Sequence, residues 1–439
     1  MTKLLRLAVL AMALLGSLSA PAGAQGLIRD AEIERTLRNL SAPVFEAAGL
    51  EPDSVSIFIV NDPELNAFVA GGMNMFLNTG LLMRTDTPEQ VLGVIAHETG
   101  HIAGGHLSRT GDAFQQAAAT QILSALLGAG AAVLGAPQVG TAVIAGGATV
   151  AERGFLKFSR SQEQSADQAA LAYLDDVEVT SQGLLEFFGT LESQRFLSGS
   201  RQDAYLRTHP LTRDRIRLIE AHLRRSPYKD AMLNEAVRAD HERMVAKLVG
   251  FLQDPHVVLQ DIRGEDNPSI YARAVATYRL PDMDSALGMV DQLIEQKPDD
   301  PYYHELRGQI LFENGRIEPA RQAYAKALDL APYEPLIRFG LARCLMERGQ
   351  RGDMAEAAVH LEEVVQEEPR NAQAWRQLGI AYGRTGEEGP SQLALAESAF
   401  ITGQFDDARL YLNRADANLP QKGPQRLRLL DLQAALEAL

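Results

Sequence analysis

The stretch Val94-Ile95-Ala96-His97-Glu98-Thr99-Gly100-His101 reads H-E-x-x-H inside an apolar, helix-forming run. Residues four apart on a helix share a face, so His97 and His101 can reach one metal ion together. Glu98 lies about 100° further round, close enough to handle a water beside that ion. The motif is short enough to arise by chance, so the rest of the chain has to supply its context.

Working outward, Thr87 with Pro88 at the first helical position marks where this helix starts. At about 100° per residue, Val91, Ile95 and Ile102 fall on one side with Leu92 and Ala103 nearby, a core-facing stripe. Both motif histidines point the other way. His106 comes out roughly opposite His97 and reads as a hydrogen-bonded, partly buried histidine rather than a ligand, subject to how Gly104-Gly105 bends the helix. Earlier in the chain, a polar helical lead runs from Leu27 to about Leu50. Ser54–Val60 then reads as a buried strand, and Asn66–Ala70 and Met73–Asn78 around Gly71-Gly72 read as a hairpin. The Met73–Asn78 strand, placed at a sheet edge, would pair with an extended substrate backbone.

Downstream, Ala113–Ala151 carries no charged residue. Its glycines and Pro137 split it into pieces too short to cross a bilayer. It reads as a helical hairpin packed on the domain core or lying against a membrane or client. A second helix opens at Ser159 and places Glu163 and Asp167 four apart on one face. Catalytic zinc usually has three protein ligands and an open fourth position, so a later carboxylate is what two histidines lack. Glu163 fits as third ligand, and Asp167 then suits a hydrogen bond to a ligand imidazole. A solvated acidic face is the competing reading of that pair. His209 sits in a loop before a further helix, with Thr208 as its cap; a lone loop histidine carries little weight. A charged helical stretch, about Lys229 to Leu252, leads to a linker near Asp254–Pro268.

The C-terminal part is repetitive. Pro298 and Pro332 stand 34 residues apart, with Gly308, Ala320, Tyr324 and Ala327 between them at tetratricopeptide positions. Ala286 and Pro298 fit the same frame, as do Ala357 and Pro369 after a three-residue insertion around Gln350–Asp353. Trp375, Leu378, Gly379 and Tyr382 match W-x2-L-G-x2-Y, and Ala408, Leu412, Ala415 and Pro420 are again in register. Residues from about Gln425 to Leu439 would cap the stack.

The 439 residues carry a net charge of -15, which argues against nucleic-acid partners. Cys344 is the only cysteine, so neither an intrachain disulfide nor a cysteine-rich zinc site is available. Lys3 and Arg6, the apolar run Leu7–Leu15 and Ala22-Gly23-Ala24 read as a secretory signal peptide, with the mature chain starting near Gln25. The apolar run is short for a membrane anchor. The expected fold is mainly α: a signal peptide (1–24), an α+β peptidase domain with a small sheet (25–262) and an α-solenoid of tetratricopeptide repeats (267–439).

H-E-T-G-H with Ile102 and His106, followed by S-R-S-Q-E-Q-S-A-D, resembles the gluzincin family of HtpX and the CAAX prenyl proteases. The segment N-M-F-L-N-T-G-L-L is similar to that family's edge-strand region. With the export signal, T-H-P-L-x-x-x-R and the repeats, the resemblance extends over nearly the whole mature chain to periplasmic members that serve outer-membrane β-barrel assembly. It implies one zinc ion on His97, His101 and Glu163, a catalytic role for Glu98, and Asp167 behind a ligand. It further implies that His209 can take the fourth zinc position and hold the site shut, with Arg215 supporting the cleft. One departure is Ser165, where the family commonly has Glu; Glu163 and Asp167 remain, so little effect on zinc is expected. The uncharged 113–151 segment would correspond to the family's membrane-facing or cleft-covering hairpin, a peripheral membrane contact in the first case. The implied function is a periplasmic zinc endopeptidase with chaperone activity, peripheral to the outer membrane. It would act on unfolded or stalled outer-membrane proteins and dock on assembly machinery through its repeats. The alternative is a chaperone or scaffold whose protease stays latent.

Overall fold

The computed structural model describes residues 26–106, 160–197, 205 and 209–438. The expected leader (1–24), the uncharged Ala113–Ala151 segment and Thr208 lie outside them. Among the described residues no helix is long and apolar enough to cross a membrane. The chain divides into two compact units, one running through Arg29 and then Ile33–Val245, the other made of Asp30–Glu32 and Ala246–Leu439.

Among the described residues of the first unit, four strands form a sheet in the order β1-β2-β4-β3, with β1 at Leu27–Ile28, β2 at Ser56–Val60, β3 at Ala67–Ala70 and β4 at Asn74–Asn78. Gly71 and Gly72 take φ of 57° and 97°, the left-handed region that glycine enters at no steric cost, and so turn β3 into β4 as the expected hairpin. β4 also runs parallel to β2, from Ser56 opposite Asn74 to Val60 opposite Asn78. The expectation of an edge at Met73–Asn78 is therefore corrected, since β4 has a neighbour on each side; among the described residues the edges are β1 and β3. The side chains give the reason. Met75 and Leu77 are fully buried on one face, and on the other Phe76 stacks between Phe58 and Phe68 at 5.0 and 4.9 Å. A strand apolar on both faces gains from a neighbour on each side. β2 is only half buried over Ser56–Phe58, less than its composition suggested. The lead is not wholly helical either, because Leu27 and Ile28 pair antiparallel with the end of β2 before the helix Ala31–Ala47 begins.

The motif lies on the helix Pro88–Ala103. Thr87 stands at its N-cap with Pro88 following, but the Thr87 hydroxyl makes no cap bond; instead Asp86 N donates to Gln90 Oε1 at 3.0 Å. Val91 and Ile95 are buried as expected, yet the burial is not a stripe. Every residue from Pro88 to His101 is buried, while Ile102 is half-buried and Ala103 exposed. Neighbouring helices account for this. A Cβ at Gly93 would lie 2.8 Å from Leu184 of the helix Gln182–Leu197, and one at Gly100 would lie 2.8 Å from Ala166 O and 3.0 Å from Ala166 Cα. Gly100 thus allows backbone contact with the helix spanning 160–176, and that contact carries Glu163 and Asp167 to the motif. The helix after His209 starts at Arg213, later than expected. Its cap is Thr212, whose side chain accepts from Arg215 N, because Pro210 disfavours helical backbone at His209.

In the second unit ten helices follow one another from Asn267 to Glu437. Ala286, Ala320 and Ala357 are fully buried, and the Tyr324 ring fills the space against Gly308 and Gly340, where an added Cβ would come within 2.8 and 2.3 Å of it. The repeat positions are thus steric requirements of helix-on-helix packing. The expected linker at Asp254–Pro268 holds a helix, Pro255–Asp261, because Asp254 caps it through His256 N and Val257 N and Val258 is buried. Lys247 is buried with its Nζ 2.7 Å from Asp30, 3.2 Å from Glu32 and 3.8 Å from Glu305.

At an exposed helical position Gly→Ala stabilises by up to about 1 kcal/mol. At Gly100 the backbone of Ala166 blocks the added methyl, so Gly100→Ala is expected to destabilise by about 1–3 kcal/mol. Urea unfolding gives the sign, and a gain in stability would mean that the helices are not in backbone contact.

Candidate metal centre

Three segments converge on one buried point. The motif helix brings His97, Glu98 and His101; the 160–176 helix brings Glu163 and Asp167; the turn ending at Thr212 and the helix it caps bring His209 and Arg215. His97 Nε2 lies 3.2 Å from His101 Nε2, 3.3 Å from His209 Nδ1 and 3.4 Å from Glu163 Oε2. Glu163 is 3.2 Å from His209 Nδ1 through either oxygen and 3.4 Å from His101 Nε2. All four donors are buried and within 4.8 Å of one another.

Around these donors stands a ring of supports. His97 Nδ1 is 3.0 Å from Asp167 Oδ1. Arg215 donates to both Asp167 oxygens, Nε to Oδ2 at 2.6 Å and Nη2 to Oδ1 at 2.8 Å, and its Nη1 lies 3.0 Å from Glu163 Oε2. The guanidinium rests over the Phe188 ring at 4.8 Å. Tyr205 stacks on His209 with centroids 4.6 Å apart and is itself met edge-on by Phe187. Glu98 faces His209 Nε2 at 3.4 Å; its two oxygens are buried and accept no hydrogen bond from the described residues.

Two buried carboxylates, Glu163 and Asp167, thus share a single guanidinium, and a third, Glu98, is buried beside His209. Burial would push the His97 imidazole down, but Asp167 and Glu163 more than offset this and draw it up to about 9. Burial holds His101 below its ordinary value. Burial would raise Glu163, yet the three imidazoles hold its carboxyl far below the usual range. For Asp167 burial is likewise outweighed, by Arg215 and His97. Such a site demands positive charge. The donor spacing says what kind: bonds of about 2.0–2.1 Å in tetrahedral geometry put donors about 3.3 Å apart. Five of the six donor pairs stand 3.2–3.4 Å apart, taking Glu163 through either oxygen, and all four donors lie within 4.8 Å, a spacing of that order. The residues present therefore fit a small divalent metal ion.

All seven residues singled out in the sequence, His97, Glu98, His101, Glu163, Asp167, His209 and Arg215, meet here. Ser165 is exposed, on the far side of its helix from the donors. His106 is buried and hydrogen-bonded as expected but not remote, since its Nδ1 lies 3.0 Å from His101 Nδ1. The helical angle misplaced it because Gly105 takes φ of 61° and turns the chain back. Tyr205 was missed; four residues before His209, it offered only its spacing as a signal.

Residues 28–223 match the family model for Peptidase family M48, and residues 281–426 match that for the cytochrome c-type biogenesis protein H TPR domain. The chain is 24% identical over 415 residues to the beta-barrel assembly-enhancing protease of Escherichia coli strain K12, covering 92% of this chain and 83% of that protein. With the Yersinia pestis protein of the same name it shares 25% over 374 residues, 82% of this chain and 74% of that one. Over 165 residues it is 30% identical to metalloprotease YcaL of Escherichia coli strain K12, 37% of this chain and 59% of that protein.

Removing the guanidinium would strand two buried carboxylates. Arg215→Met is expected to cost about 3–5 kcal/mol in urea unfolding at pH 7, part of it recovered in Arg215→Met/Asp167→Asn. Because the Asp167 pKa is depressed on folding, its contribution is fully present above its unfolded pKa of about 4 and is lost as pH falls through the lower folded value. The cost of Arg215→Met should shrink accordingly on acidification. An unchanged cost at pH 3 would assign it to packing alone.

Proposed function

The chain is a metalloendopeptidase with a Peptidase family M48 domain followed by a tetratricopeptide-repeat domain, and from that premise we propose an exported zinc enzyme that degrades misassembled outer-membrane β-barrel proteins and assists their assembly. The observation that carries the reading is the buried cluster of donors from His97, His101, Glu163 and His209, with Glu98 beside it. In this reading residues 1–24 are a cleaved signal, 25–262 the peptidase domain and 267–439 the repeats that dock on assembly machinery in the periplasm. The names of the full-length relatives support the substrate class.

His97, His101 and Glu163 hold the metal, and the histidine-rich, thiol-free donor set suits zinc. Zinc held there would polarise a scissile carbonyl and acidify a water. Glu98, with both oxygens buried and uncommitted, takes the proton of the attacking water and passes it to the leaving amine. Asp167 orients His97 through Nδ1, and Arg215 holds Asp167 and Glu163 in place. His209 takes the fourth corner, where a substrate carbonyl would need access, with Tyr205 stacked behind it. The site is then closed until His209 leaves.

That closed corner favours a second reading, in which the chain acts mainly as a chaperone or scaffold with a latent protease. Two variants separate the readings. Glu98→Gln should bind one zinc per chain yet lose at least about 100-fold in degradation of an unfolded barrel protein. Undiminished degradation would rule out the catalytic assignment, and barrel assembly unaffected by the same variant would favour the scaffold. His209→Ala is expected to degrade that substrate several-fold faster than wild type; an unchanged or lower rate would remove the gate.

A further inference from the structure

We propose that His106 is a positioning residue for His101, accepting the proton on Nδ1 and so fixing the tautomer that leaves Nε2 free to ligate. The inference rests on the metal reading above. His101 Nε2 faces the donor cluster, 3.2 Å from His97 Nε2 and 3.4 Å from Glu163 Oε1. An imidazole that ligates through Nε2 keeps its proton on Nδ1, and a buried N–H needs an acceptor. His106 Nδ1 stands 3.0 Å away, and both rings are buried. It occupies toward His101 the place that Asp167 occupies toward His97, at the same 3.0 Å. The two histidines of one motif are therefore seated by different groups, one by a carboxylate and one by an imidazole.

The backbone is arranged around this contact. Just past the motif helix, Gly105 at φ of 61° breaks the helical path and redirects the chain into His106. Gly104 leaves the space that the ring fills, since a Cβ there would come within 2.6 Å of His106 Nε2. Gln162 Nε2 donates to His106 O at 3.0 Å, tying the turn to the helix that carries Glu163. The glycine pair after the motif thus sets where the His106 ring lies.

The test is zinc affinity of the full chain, stripped of metal and titrated in competition with a chromophoric chelator. His106→Leu keeps bulk and removes the acceptor; His106→Ala removes both; His106→Asn keeps an acceptor near the Nδ1 position. Leu and Ala are expected to bind zinc roughly 10- to 100-fold more weakly than wild type, with Asn within a few-fold of it. Equal affinity for Leu and wild type overturns the inference. So does an Asn variant as weak as Leu, or zinc loss accompanied in both Leu and Ala by loss of native circular dichroism, since either places the ring's role in packing. A wild-type chain that binds no zinc overturns the metal reading itself, and this inference with it.

Discussion

Burial of three carboxylates in one site with a single guanidinium, which touches only Glu163 and Asp167, is the constraint on which the first unit depends. Glu98, Glu163 and Asp167 are each nearly inaccessible, and isolated carboxylates do not survive in such surroundings unless paired or hydrogen-bonded. Arg215 accounts for part of the compensation, with a planar fork that suits Asp167 and reaches Glu163 as well. Imidazole protons or a metal cation supply the remainder. The groups involved come from segments separated by dozens of residues, so the charges can be balanced only once the helices are docked. Folding of this unit and assembly of its site are one event.

Helix docking in turn depends on small residues. Gly93 and Gly100 on the motif helix meet Leu184 and Ala166 on two different neighbours, which is why the motif is buried on all sides rather than along a stripe. Hydrophobic periodicity assumes one covered face; a helix gripped on several has none to reveal. The repeats use the same device, with Tyr324 against Gly308 and Gly340.

How much was legible in the sequence follows from how local each constraint is. The spacings of His97 with His101 and of Glu163 with Asp167 are fixed by a single helix turn, and they were readable without knowing what either helix packs on. The repeat alanines were readable because they recur in register at a fixed period, and they are fully buried. Strand order was not, because the pairing of β4 with β2 is set by contacts distant in sequence, and a strand identical in composition could have stood at an edge. The start of the helix after His209 was misplaced because Pro210 outweighed the cap signal at Thr208. His106 was misplaced by one backbone dihedral, since an angle of 100° per residue holds only while the helix continues.

Lys247 adds a consequence of another kind. Its ammonium is held by Asp30 and Glu32 from the start of the described chain and by Glu305 from the repeats, all within one compact unit. The repeat-bearing unit is therefore discontinuous in sequence, stitched by a tripeptide that interrupts the first unit just after β1. It cannot be complete until Lys247 and Glu305 have been synthesised, so Asp30 and Glu32 must wait through more than two hundred residues of translation for their partners. Completion of that unit is a late event in the life of the nascent chain, although its first residues are among the earliest made.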